Sequence, residues 1–142
     1  MKFLGIVSSV IVIGTFTFCC GCTMCLAGEQ EEMFTLASAL TKLTTAVESK
    51  VRFENTPTDL NSQKLLQLAT QHDPGLLNPF SEYVLKTANQ NRHAIVLVCT
   101  ADGMKALLED AGCTSKMDMH WWRDQPDRPC EISQNICATT SL

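Results

Sequence analysis

The run Ala94-Ile95-Val96-Leu97-Val98-Cys99 is apolar at every position, and no other run outside the first thirty residues is. A strand with one wet face alternates apolar and polar side chains, so an unbroken apolar run reads as a strand covered on both faces. It is too short for a buried helix, and Gln90-Asn91-Arg92 before it and Ala101-Asp102-Gly103 after it are polar punctuation. Nothing beside it carries a recognisable reaction.

The rest of the chain must supply the cover. Met33, Leu36, Leu40, Leu43, Val47 and Val51 recur at steps of three and four within 31–53, which predicts an amphipathic helix with one buried stripe. Glu48 and Arg52 form an i,i+4 pair on its other side. This stripe is either core-facing or a seam for a partner helix. Asn55-Thr56-Pro57 ends the helix, because a residue before proline avoids helical dihedrals. Asp59 or Asn61 can cap a second helix over 62–72, with Leu65, Leu68 and Ala69 buried and Asp73-Pro74-Gly75 as its stop. Asn78-Pro79 marks a turn. Residues 82–87 read as a strand, returned by the connector 88–92 as a hairpin against 94–99.

Residues 104–111 are ambiguous. Asp102-Gly103 is hairpin chemistry, whereas Met104–Ala111 lacks β-branched residues and favours a helix. A third strand is preferred, since it gives the central strand a neighbour on each edge. A short edge strand is expected at 131–133, and the tail 138–142 should fray. The fold class is α+β: an apolar leader, two amphipathic helices, a small antiparallel β-meander around 94–99 and a disulfide-stapled C-terminal loop.

At 142 residues there is room for one domain and a leader. Met1-Lys2 followed by the apolar stretch Phe3–Phe18 has the pattern of a signal peptide, with Cys25-Leu26-Ala27 as a small-residue cleavage site. Residues 1–27 are thus a signal peptide or membrane anchor, and 28–137 a single exported domain. Gly21-Cys22 resembles the lipidation site of bacterial lipoproteins, although Cys19 and Cys20 depart from the usual residues before it. The uncharged span Phe3–Ala27 is also long enough to cross a bilayer uncleaved. Each of these routes puts the domain in the periplasm, outside the cell or on a membrane facing away from the cytosol.

Eight cysteines fall into two sets. Cys19, Cys20, Cys22 and Cys25 crowd the leader, and Cys99, Cys113, Cys130 and Cys137 lie in the domain. Four cysteines in a small exported domain suggest two disulfides, with three connectivities open. Cys113–Cys130 with Cys99–Cys137 is preferred, because the first closes the irregular segment between its ends. No pair has the close spacing of a zinc site, and no cofactor motif is present.

Of the 11 basic residues only Lys2 lies in the leader, so the domain's 15 acidic side chains outnumber its basic ones. With scattered charge of this sign nothing neutralises phosphates in a row, and nucleic acid is excluded as a partner. The densest functional cluster is Asp118-Met119-His120-Trp121-Trp122-Arg123-Asp124. Two adjacent tryptophans do not share one core direction, and exposed Trp beside Arg is a frequent hot-spot composition. The competing role is structural, with a Trp capping the core and Arg123 stacked on it. His120, Trp121, Trp122 and Arg123 are therefore the candidate binding residues. His120 could also serve a hydrolase or a thiol enzyme using Cys113 or Cys130, but no G-x-S-x-G elbow accompanies it. His72 and His93 are expected to be solvated. Glu109-Asp110 should point to different sides and form a solvated rim rather than an acid/base pair.

The reading that follows is a non-enzymatic protein-interaction module whose partner is another envelope or extracellular protein. The membrane is a second partner if the leader is kept or lipidated. The overall plan of apolar N-terminus, amphipathic helix, meander and disulfide-bounded loop also resembles type IV pilin-like proteins, with Gly5-Ile6 similar to their processing site. Val10 stands where that family carries an acidic residue, and Lys2 is the whole basic leader. That resemblance implies an assembly subunit held through its N-terminal helix.

Overall fold

The computed structural model describes residues 22–54, 56–119, 127–133 and 137, with the side chains of 22–27 and 29 left aside. Helix α1 spans Cys22–Phe53, α2 spans Ser62–Ala69, and a 3-10 helix spans Pro74–Phe80. Strands β1 (Val84–Gln90), β2 (His93–Cys99), β3 (Ala106–Ala111) and β4 (Asp118–Met119) form one antiparallel sheet in the order β1-β2-β3-β4. The class is α+β.

The stripe of α1 is core. Leu40, Leu43 and Val47 have no exposure, and Met33, Leu36 and Val51 are buried with them, so this face is not a free seam for a partner helix. They pack with Leu65, Leu66 and Phe80 on Ala94, Val96, Val98 and Leu108. The other residues of β2 alternate to the opposite face, as a pleated strand requires. There Leu97 and Cys99 meet Ala106, Cys130 and Ile132, while Ile95 meets Ala111, Cys113, Cys137 and Ile132. Both faces of the all-apolar run are covered, one by helices and one by the C-terminal segment.

Several boundaries differ from the sequence reading. Helix α1 reaches back to Cys22, through the stretch expected to contain a cleavage site. Helix α2 stops at Ala69 rather than at His72, where Thr70 closes it with both its N–H and its hydroxyl on the Leu66 carbonyl. Its cap is Asn61, whose side-chain oxygen accepts the Lys64 N–H at 2.8 Å. The connector at 88–92 shrinks to two residues, Asn91 and Arg92, with φ of 51° and 65°. That is a primed turn, which matches strand twist and lets β1 run on to Gln90. Within 104–111 the strand alternative holds, over Ala106–Ala111. No strand forms at 131–133; β4 lies at Asp118–Met119 instead, and the C-terminal segment touches the sheet edge through the bridge Lys105↔Pro129. Its polar and proline-rich composition suits a cover better than a ladder.

The tip of the β1–β2 hairpin is stitched to the end of α1. Glu48 accepts the Ala94 N–H and pairs with His93 Nδ1 at 2.7 Å, and the Arg92 guanidinium donates to the Arg52 carbonyl at 2.9 Å. A cation at a helix C-terminus also suits the dipole. His93 is thus a partnered, half-buried side chain rather than a solvated one, and Arg52 reaches Glu48 only at 3.8 Å.

The outer edge of β1 is blunted. The Ser62 hydroxyl takes the outward Thr87 N–H at 2.8 Å and donates to its carbonyl. This occupies a site another strand would use.

Candidate functional site

The described residues around the tryptophan-bearing segment form a compact polar frame at one edge of the sheet. On one side of the segment, Asp118 and Met119 pair with Glu109 and Leu108 of β3. On the other side, Asp127 binds the Lys105 ammonium at 2.7 Å. The Ala106 N–H donates to the Arg128 carbonyl, and the Cys130 N–H to the Met104 carbonyl. Both ends of 120–126 are therefore tied to the same strand. His120, Trp121, Trp122 and Arg123 themselves lie outside the described residues.

Beneath this frame sits Glu109, at 1% exposure. Its two carboxylate oxygens face the Ser133 N–H at 3.2–3.4 Å, and Arg128 Nη2 lies 3.5 Å away. Arg128 Nη1 also reaches Asp118 at 3.6 Å. Burial pushes the Glu109 carboxyl above the ordinary range, while the Ser133 N–H and the Arg128 charge pull it back. Asp110 points the other way, toward Thr44 of α1, and its carboxyl is also raised by burial. The two neighbours do face opposite sides of the strand, but they are not a solvated rim. One is sealed under the C-terminal segment and the other half-buried against the helix. Their separation by the sheet leaves no shared substrate position between them.

A shallow cleft runs beside the frame, lined by Ser62, Lys86, Arg128, Ile132 and Ser133 among others. Lys86 is committed within it, donating to the Cys130 carbonyl at 2.6 Å. Among the described residues no group of His, Cys, Asp and Glu could hold a metal ion.

The domain cysteines form Cys99–Cys130 and Cys113–Cys137. This corrects the expected pairing of Cys113 with Cys130 and Cys99 with Cys137. The cause is strand geometry: Cys99 ends β2 on the same face as the Lys105↔Pro129 bridge, which brings Cys130 beside it. Cys113, just past β3, is at the far end of that face with Ile95 and Cys137. Loop length alone does not carry that information. With both sulfurs paired, neither Cys113 nor Cys130 offers the thiolate that a His120-assisted thiol enzyme needs.

Disulfides of this kind point to a non-cytosolic compartment. Among the described residues no helix is long and apolar enough to cross a membrane. The side chain of Cys22, the expected lipidation site, is not among those described. Glu109, Arg128 and the Lys105–Asp127 pair were not legible as site residues in the sequence. The one available signal was parity, since Glu109 pairs with Leu97 on a face that has to be covered.

No protein-family model matches the chain, no curated protein matches it, and no solved structure matches it.

Proposed function

We propose that this chain is an exported, non-enzymatic protein-interaction module that offers the segment 120–126 to another envelope or extracellular protein. The supporting observation is the tethering of both flanks of that segment to β3 and the residue before it, through Met119 on one side and through Arg128 on Ala106 and Asp127 on Lys105 on the other. A loop whose ends are fixed on a rigid strand loses less entropy on binding than one that must first be ordered. Trp121, Trp122 and Arg123 are residue types that dominate binding energy when desolvated, and His120 adds a polar contact. The test is alanine replacement of Trp121 and Trp122, with folding checked by circular dichroism, followed by pull-down from envelope extract. Loss of the captured partner is expected; an unchanged pull-down overturns the reading.

A second reading, the pilin-like assembly subunit, is favoured by one observation. Helix α1 is described from Cys22, about three turns before its first described buried side chain, Met33, and continues unbroken into the core. A helix continuous from the leader into the core can join an anchor to a domain. N-terminal sequencing separates the cases, since a start at Ile6 supports the filament subunit and a start at Gly28 removes it.

A further inference from the structure

We propose that the outward face of α1 pairs with the same face of a second copy of this chain, as a two-fold antiparallel helix pair. The core takes one side of α1. On the other side Glu31, Thr35, Ser38 and Lys42 recur at steps of four and three, and all four are exposed. Beside them stands Phe34, a large apolar side chain at 51% exposure. A hollow of about 790 Å³ lies on this face, lined by these five residues and by Pro79 of the 3-10 helix among others. Neither charge is committed within the chain: among the described residues, neither Glu31 nor Lys42 makes an ion pair. The neighbouring Glu32, by contrast, accepts the Tyr83 hydroxyl at 3.1 Å.

A second copy is the occupant because the charges on this face complement themselves. Glu31 and Lys42 lie at equal distances on either side of the midpoint between Leu36 and Ala37. In a two-fold interface residue i meets residue j while j meets i, so the surface has to match its own image. A two-fold axis at that midpoint, with the helices antiparallel, sets each Glu31 against the second copy's Lys42. Two opposite-charge pairs result, one at each end of the contact. The same operation sets Thr35 against Ser38, whose short side chains leave room for close approach, and lays Phe34 over the second copy's Ser38. A parallel pair in register would instead set Glu31 on Glu31 and Lys42 on Lys42, which is repulsive. Antiparallel helices also send the two leaders in opposite directions. The pairing therefore suits a domain cleaved from its leader, not one anchored beside its copy in the same membrane. It is independent of the role proposed for 120–126.

The exported protein, purified as the cell processes it, is treated with a carbodiimide, which joins a carboxylate to an amine with no spacer. Crosslinked peptides are then mapped by mass. Glu31 and Lys42 are 11 positions apart on one helix, about 16 Å, so an amide between them joins two copies. That amide, in a species of twice the chain mass, is the expected result. Its absence at every protein concentration, or the joining of Glu31 and Lys42 to a different protein instead, overturns the proposal. Charge reversal supplies a second measurement, by sedimentation with folding checked by circular dichroism. Glu31→Lys and Lys42→Glu should each weaken self-association about tenfold, since both pairs of the dimer turn repulsive. Mixing the two variants should restore it to the parent level, because every lysine then meets a glutamate. Phe34→Ser should weaken it with the helical signal unchanged. Reversals that leave association as it was, or a mixture that stays monomeric, overturn the antiparallel pairing.

Discussion

On one side of β2, Ala94, Val96 and Val98 lie under leucines, valines and a phenylalanine from three helical elements. On the other, Ile95, Leu97 and Cys99 lie, among the described residues, under Cys130, Ile132 and Cys137, with the buried Glu109 carboxylate beside Leu97 in the sheet. The same strand is thus covered once by apolar volume and once by covalent bonds. Among the described residues that segment brings one non-cysteine apolar side chain, Ile132, to this face, and its two disulfides and its bonds to Glu109 and Lys86 add to that modest burial. The difference also separates the modes of failure. Damage to the helix side should unfold the whole domain, whereas damage to the other side should loosen the C-terminal segment alone.

The strongest challenge to this contrast is Leu40→Ala. Leu40 has no exposure, and a large-to-small change at such a site costs about 2–5 kcal/mol. Denaturant unfolding should shift accordingly, with amide protection falling together in β2, α1 and the cover. Protection lost on one side only would break the comparison. Next comes Cys99→Ala with Cys130→Ala, which removes a bond spanning 31 residues of sequence. Chain entropy sets its contribution at about 2–4 kcal/mol. Here exchange should rise first in 127–133, with helical dichroism retained. Ile132→Ala is smaller, about 1 kcal/mol for a partly exposed side chain, and its effect should be confined to the same segment.

The two sides were also unequally legible. The α1 stripe was readable because 3.6-residue spacing is a local property, and all six named positions are buried. The all-apolar run announced that something covers its second face, but not what. Local pattern misled at 131–133, where Glu131-Ile132-Ser133 alternates like a strand yet follows Pro129 and forms no ladder. Leu66 was missed on α2 because the helix is rotated to put Leu65 and Leu66 inward. The connectivity Cys99–Cys130 depends on which face and which end of the sheet each cysteine reaches. That is long-range information absent from spacing. The candidate binding residues are legible only as a composition, and the polar frame formed by the residues flanking them emerged from the pairing of β3 with β4.

Glu109 and Asp110 give the finest test, because consecutive carboxylates sit one under each cover. Burial raises both, so the folded state holds their protons more tightly than the unfolded chain does. The stability this brings is complete below the ordinary carboxylate values of 4.5 and 3.8. It is lost as pH rises through the folded values. Glu109→Gln removes the ionisation with little change in shape, and should alter stability by about 1 kcal/mol or less at acid pH. Toward pH 8 the variant should gain on the parent, with slower exchange in 127–133. Asp110→Asn should instead flatten the pH dependence of global unfolding, since that carboxylate faces Thr44 on the helix side. If Glu109→Gln is the less stable protein at pH 8, the Arg128 charge and the Ser133 N–H outweigh desolvation. Residues 127–133 would then be held by an ion pair as well as by sulfur, and the contrast between the two faces would narrow.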